Sequence, residues 1–486
     1  MTRAVGRTHP TIHASALAGV VCLVVVGVAA LLGLAACASV PGEPTDTSTV
    51  TLVVPRFNGG SVTIDHARRA AFLLHRGYPA GELRLGDTYA PLLDSLRSRA
   101  GSEGSVLGAS YDWRMPGAPP QATPDGTVDG LLDRWRDSSA TDTFAYAVDD
   151  LRYWLIQAAR VNGDSRPVDV VAHSTGVSVV RAYLQSDAYG QTVLAPDGQQ
   201  VTLPRIRTLV LAAPPMEGAP FVWNLWNGNF ASFVGAARGA DVFAGYARAY
   251  RHVQAGGRVA GPMGDITRDS LTGAGIARQV SFLRQYNPLF EIVLPTNRVL
   301  YPRAAPGTRP RSLTGLPGGD NTLLIDLNST STPGHNPWAQ LADKVIVTYP
   351  THVLGPHVDG GSEPVQTAVR IQRERGAGGE ILPFTAFADP AGPAPGIPTT
   401  KGQTWYREIF APDQGDGAFP LESMQRDFFD ATGQVDPGLQ VQQWGNGPSP
   451  TSSGMGSWIP ARGDLTHNLF IENPTVIHWV SQQLQQ

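Results

Sequence analysis

The chain of 486 residues is 42% hydrophobic and 16% charged, with a formal net charge of −4. That is an ordinary globular composition, long enough to bury a sizeable core in one large domain or a few small ones. The slight acidity supplies no basic field for a polyanion, and nothing in it suggests a nucleic-acid partner.

In chain order, Arg3 and Arg7 precede an uncharged apolar run from about Ala14 to Ala36, which ends Leu34-Ala35-Ala36-Cys37. Positive residues, an apolar stretch and small residues in that order read as a secretory signal. Small residues directly before a cysteine resemble the lipobox of bacterial lipoproteins. That resemblance implies a signal peptide over residues 1–36, cleavage before Cys37, acylation of its thiol, and a domain held on the membrane outside the cytoplasm. The run is also long enough to cross a bilayer as a single uncleaved helix, which would place the domain on the same side. Removal of Cys22 with the leader leaves Cys37 alone and no internal disulfide. Residues 38–48 are small, polar and proline-bearing, so 37–48 reads as a lipidated tether.

Residues 50–55 (Val-Thr-Leu-Val-Val-Pro) form a β-rich run closed by the turn residues Asn58-Gly59-Gly60. Apolar spacing predicts helices over 66–76 and 89–99, with a short strand near 105–111 between the second and the next helix. Phe144, Ala147, Val148, Leu151, Trp154, Leu155 and Ala158 recur at the three-and-four spacing of an amphipathic helix. Strands are predicted at 168–171, 206–212 and 344–348, and helices at 177–184 and 474–484. Strands alternating with helices imply a mostly parallel sheet with helices on both faces. The alternation fails between 218 and 341, where aromatic and glycine-rich stretches such as Phe221-Val222-Trp223-Asn224-Leu225-Trp226 suggest an inserted cap or lid. Core is thus expected at 49–217 and 342–486, with a proline- and glycine-rich surface loop over 372–404.

A serine hydroxyl needs a base to take its proton and a turn that exposes it. Ala172-His173-Ser174-Thr175-Gly176 places Ser174 between a strand and a helix, with small residues two before and two after. That is the nucleophile elbow of an α/β-hydrolase, whose acid and histidine follow in the order serine, acid, histidine. The downstream histidines are His252, His335, His352, His357, His467 and His478. His467 stands in a loop directly before the last helix and suits the general base, whereas His478 lies within that helix. Among Asp359, Asp413, Asp416 and Asp430, the best orienting acid is Asp416, whose flanking glycines let a short carboxylate turn inward. The charge on a tetrahedral intermediate needs two aimed donors: the Thr175 N–H, and one from the loop at 55–60, with Phe57 the expected contributor. No metal or organic cofactor is called for.

Together with Tyr111-Asp112-Trp113-Arg114, these pieces resemble the lecithin:cholesterol acyltransferase family, which includes lysosomal phospholipase A2 and phospholipid:diacylglycerol acyltransferases. Tyr89 to Leu96 is similar to the helix before that string, and Leu211-Ala212-Ala213-Pro214 with Gly218 to a turn after the nucleophile helix. Leu294-Pro295-Thr296 is similar to a cap segment, Tyr349 to Val353 to a further turn, and Gly415 to Pro420 to the acid motif. The resemblance spans roughly residues 50–484 and implies Ser174, Asp416 and His467 as a triad. It further implies cleavage of acyl esters of lipids, with transfer of the acyl group to water or to an alcohol. The sequence departs from the family at Arg56, where a glycine is usual, and at Pro350-Thr351-His352. Trp113 either lies near the acyl pocket, as the resemblance implies, or belongs to the core. Two other readings stay open: an esterase for sterol or wax esters, and a lipid-binding lipoprotein that no longer turns over.

Overall fold

Seven strands, each parallel to its neighbours, make the central sheet. They are β1 (Thr51–Val54), β2 (Val106–Gly108), β3 (Val168–His173), β4 (Ile206–Ala212), β5 (Lys344–Pro350), β6 (Gln440–Gly445) and β7 (Ser457–Pro460), lying in the order β2-β1-β3-β4-β5-β6-β7. The structure is a computed structural model that describes residues 49–56, 60–61, 78–100, 105–113, 115–119, 125–137, 144–163, 166–218, 259–261, 264–266, 321–351, 354–356, 362–364, 368–373, 406–411, 416, 419, 421–445, 457–461, 465, 467 and 469–485. The expected helix at 66–76, Phe57, Arg114, the tether, Cys37 and most of 218–341 lie outside the described residues. Among those described, no helix is long and apolar enough to cross a membrane.

Every residue of β1 and of β3 is buried, not every second one, so both faces of the sheet are covered. The helices that cover it are α1 (Ala90–Ala100), α2 (Ala147–Asn162), α3 (Gly176–Leu184) and α5 (Pro474–Gln483), with α4 (Thr322–Asn328) docked beside them. The chain steps from β1 to β2 through α1 in one direction, then to β3 and β4 through α2 and α3 in the other. Right-handed crossovers therefore set α1 on one face and α2 with α3 on the opposite one. The packing agrees: α2 touches α3, and α1 touches α5. This is the α/β-hydrolase architecture. Its direction of progress reverses between β1 and β3, which opens a crevice at the carboxyl ends of those two strands.

Local chemistry sets the helix ends. Asp149, at the third position of α2, accepts the N–H groups of Ala145 and Tyr146, both at 3.0 Å, and the Trp135 indole N–H at 2.9 Å. A carboxylate at that end also meets the positive pole of the helix. Asn473 caps α5 by accepting from Thr475 N and Val476 N, and Pro474 opens the helix where no N–H is needed.

Segment 321–341, at the end of the stretch read as a cap, packs on α3 through Arg181. That wholly buried guanidinium donates to Asn328 Oδ1 at 2.8 Å and to the Leu327 carbonyl at 2.5 Å, and lies 4.5 Å from the centre of the Trp338 ring.

Strands β6 and β7 are additions to the sequence-based expectation. The stretch expected to be loop from 372 onward also begins inside a strand, because Ala368–Arg373 pairs antiparallel with Tyr406–Ala411. A further hairpin, Thr192–Leu194 with Gln200–Thr202, turns at Gly198, whose φ is +80°.

Candidate active site

Strand β3 delivers His173 and then turns sharply into α3. Ser174 sits at φ 55°, in the left-handed region that side chains other than glycine rarely adopt. Its N–H donates to the Ala212 carbonyl of β4 at 2.9 Å, and its carbonyl accepts from Val177 N at 2.9 Å. The strained residue is thus fixed from the strand side and from the helix side. Gly176 is required by space: a Cβ there would lie 2.6 Å from the Pro55 carbonyl oxygen and 2.7 Å from that of Val54. The first turn of α3 consequently abuts the end of β1, in the crevice where the sheet reverses.

Ser174, Asp416 and His467 come together there, all buried. Ser174 Oγ is 2.7 Å from His467 Nε2, and His467 Nδ1 is 2.6 Å from Asp416 Oδ2. A carboxylate can only accept, so Nδ1 carries the proton and Nε2 presents its lone pair to the serine hydroxyl. Asp416 is oriented in turn, since its Oδ1 accepts from Phe419 N at 2.7 Å and its carbonyl accepts from His467 N at 2.7 Å. Downstream, the Ser423 hydroxyl donates to the Gly218 carbonyl at 2.7 Å and accepts from Glu217 N at 3.2 Å. These bonds tie the acid segment to the chain leaving β4. Glu217 is itself buried and paired with Arg426.

The other sequence candidates stand elsewhere. His335 is exposed, His478 is bonded to Arg99 and Gln482, and Asp430 closes a turn with Thr432 and Gln434. His252, His352, His357, Asp359 and Asp413 lie outside the described residues, as does Phe57. Trp113 is buried in the main core cluster. Thr175 is the residue preceding α3, and its N–H has no acceptor among the described residues. It therefore offers a free donor at the positive pole of a helix. Among the described residues no group of three or more His, Cys, Asp or Glu side chains could hold a metal ion.

Three further described residues pack around these groups. The His467 ring contacts Phe419, edge-on at 4.5 Å between centroids, and His173 at 5.1 Å with a tilt of 31°. Behind it, Tyr89 accepts from Arg56 N at 2.7 Å, and its hydroxyl is 2.8 Å from His173 Nδ1. The Tyr89 hydroxyl thus joins the loop after β1 to the residue before Ser174. Only position marks His173 and Phe419 in the sequence, one next to Ser174 and the other inside the acid motif.

Burial, the adjacent His467 and the Arg56 guanidinium hold His173 well below the ordinary histidine range. It is neutral when folded, whereas the unfolded chain protonates it below about pH 6.5. The unfolded state then binds more protons, so the fold loses stability as pH falls through that value. Urea unfolding from pH 7.5 to 5 is expected to show wild type losing stability relative to His173→Gln by about 1.4 kcal/mol per pH unit below about pH 6. Parallel curves would show that His173 takes up a proton in the fold.

No protein-family model matches the chain, and no curated protein sequence does. Among solved structures it is similar to lipase 1 from Pelosinus fermentans, at 10% identity, TM-score 0.30, and coverage of 90% of this chain and 98% of that one. It is also similar to EstA from Clostridium botulinum, at 12% identity, TM-score 0.31, and coverage of 90% and 86%. A third is the Tle4–Tli4 complex, at 12% identity, TM-score 0.31, and coverage of 86% and 78%. Likeness at this level leaves the chemistry to the geometry of the site itself.

Proposed function

We propose that the protein is a serine hydrolase or O-acyltransferase that acts on acyl esters of lipids. The observation that carries this reading is the unbroken chain of hydrogen bonds from Asp416 through His467 to Ser174 Oγ, 2.6 Å and 2.7 Å long, on a strained strand-to-helix turn. His467 Nε2 takes the hydroxyl proton as Ser174 Oγ adds to the ester carbonyl carbon. The carbonyl oxygen becomes an oxyanion facing the Thr175 N–H and a donor from the loop at 55–60, with Phe57 as its contributor. Collapse expels the alcohol, which takes the proton from His467, and leaves an acyl-enzyme. Water or an acceptor alcohol then attacks that ester with His467 again as base.

The lipid acyl class rests on the resemblance to the lecithin:cholesterol acyltransferase family at Tyr111 to Arg114, the elbow and the acid motif, with Trp113 assigned to the acyl pocket. The leader and Cys37 support a membrane-anchored lipoprotein outside the cytoplasm, close to such substrates.

The test is a panel of phospholipid, triacylglycerol and sterol-ester vesicles, with and without a long-chain alcohol. Free fatty acid is expected from at least one class, with a share diverted to the alcohol ester when the alcohol is present. No acyl release from any class, together with no labelling of Ser174 by a fluorophosphonate, would replace this reading with that of a lipid-binding scaffold.

A further inference from the structure

A second feature of the crevice is a bridge of two hydroxyls. Tyr111 Oη and Thr175 Oγ1 are 2.6 Å apart, and both residues are buried. Tyr111 follows β2 and Thr175 follows β3, the two strands that flank β1. The bridge therefore joins the two sides of the carboxyl end of β1, where α3 begins against the carbonyls of Val54 and Pro55.

Two hydroxyls hold two protons, and one hydrogen bond uses one of them. Neither oxygen has another partner among the described residues. One of the two buried O–H groups thus has no acceptor among the described residues, and buried hydroxyls of that kind are rare. Phenols are stronger donors than alcohols, so Tyr111 donates to Thr175 Oγ1. Burial further raises the Tyr111 pKa far above the ordinary tyrosine value, which keeps that proton in place. The hydroxyl left over belongs to Thr175, whose N–H also has no acceptor among the described residues.

We propose that the Thr175 hydroxyl is a catalytic third donor of the oxyanion hole, aimed by Tyr111, which acts as a positioning residue. This rests on the serine hydrolase reading above. When Ser174 Oγ adds to a carbonyl carbon and its proton passes to His467, the electron pair of the broken π bond settles on the carbonyl oxygen. That oxyanion supplies the acceptor that the Thr175 O–H does not have among the described residues. The interaction belongs to the charged intermediate and not to the bound ester, so it acts on kcat and leaves KM alone.

The test compares wild type, Thr175→Val, Thr175→Ser and Tyr111→Phe in the full chain, on a p-nitrophenyl ester and with a trifluoromethyl ketone, which captures Ser174 as a tetrahedral oxyanion. Valine keeps the shape and the backbone N–H and removes only the hydroxyl. Thr175→Val is expected to lose about 100-fold in kcat with KM unchanged, and to lose affinity for the ketone by a similar factor. Thr175→Ser should restore both to within about threefold of wild type, and Tyr111→Phe should fall between them. Circular dichroism melts of each variant separate loss of fold from loss of chemistry. A folded Thr175→Val with kcat and ketone affinity within about twofold of wild type would overturn the proposal while leaving the hydrolase reading intact. Activity that survives unchanged in Ser174→Ala would instead remove the reading on which it rests.

Discussion

Ser174→Ala is expected to lower kcat/KM for a soluble acyl ester by about 10⁵- to 10⁶-fold while the protein stays folded. The size of the loss follows from the absence of a substitute. The Thr175 hydroxyl, next along the chain, is engaged with Tyr111, and Ser178 lies a full turn further into α3. Alanine accepts the φ of 55° no better and no worse than serine, so backbone strain at the turn is unchanged. The fold loses one hydrogen bond, from Oγ to His467 Nε2 at 2.7 Å, worth about 1 kcal/mol. Initial rates and thermal melts check both halves of the expectation. A folded variant that retains even a hundredth of wild-type turnover would remove Ser174 from the role of nucleophile.

Asp416→Asn is expected to lower kcat by about 10⁴-fold, or roughly 5.4 kcal/mol of barrier, with little change in KM. The amide has nearly the shape of the carboxylate, and its oxygen can still accept from Phe419 N as Oδ1 does at 2.7 Å. Its NH₂ group must then face His467 Nδ1. A donor there forces the imidazole proton onto Nε2, which can no longer accept from the serine hydroxyl. Geometry survives and proton transfer fails, and the same exchange of acid for amide in a serine-protease triad has an effect of that size. Kinetics with the same ester decide the matter. Turnover within tenfold of wild type would show that Asp416 braces the loop without setting the tautomer.

What could be read from the sequence followed burial. Strands β1, β3, β4 and β5 are dense in Val, Ile and Leu because both faces of a parallel sheet are covered, and each is visible as an apolar run. Strand β6 (Gln440–Gly445) hides Gln442 and Gln443 in the interior, where polar side chains give no hydrophobic signal. Gln442 finds its partner in the Gln443 carbonyl, a bond that composition cannot announce. Strand β7 is a four-residue edge ending in Pro460, too short to show a period. At the site, Ser174 was legible because a tight turn demands small neighbours, and Gly176 meets that demand against Val54 and Pro55. Asp416 and His467 were legible through chain order and the flanking motif. The ring contacts of His173 and Phe419 with His467, and the hydroxyl bridge of Tyr111, join residues distant in the chain and exist only once the sheet has assembled.

The 293 residues that separate Ser174 from His467 also carry a consequence in time. At ribosomal rates of about 5–20 residues per second, Ser174 emerges on the order of 15–60 s before His467 exists. Throughout that interval the serine is an ordinary alcohol. A chain that is being made, or that stalls or is cut short of His467, holds a serine with no base to take its proton. On the function proposed above, the protein therefore stays inactive until synthesis has passed His467.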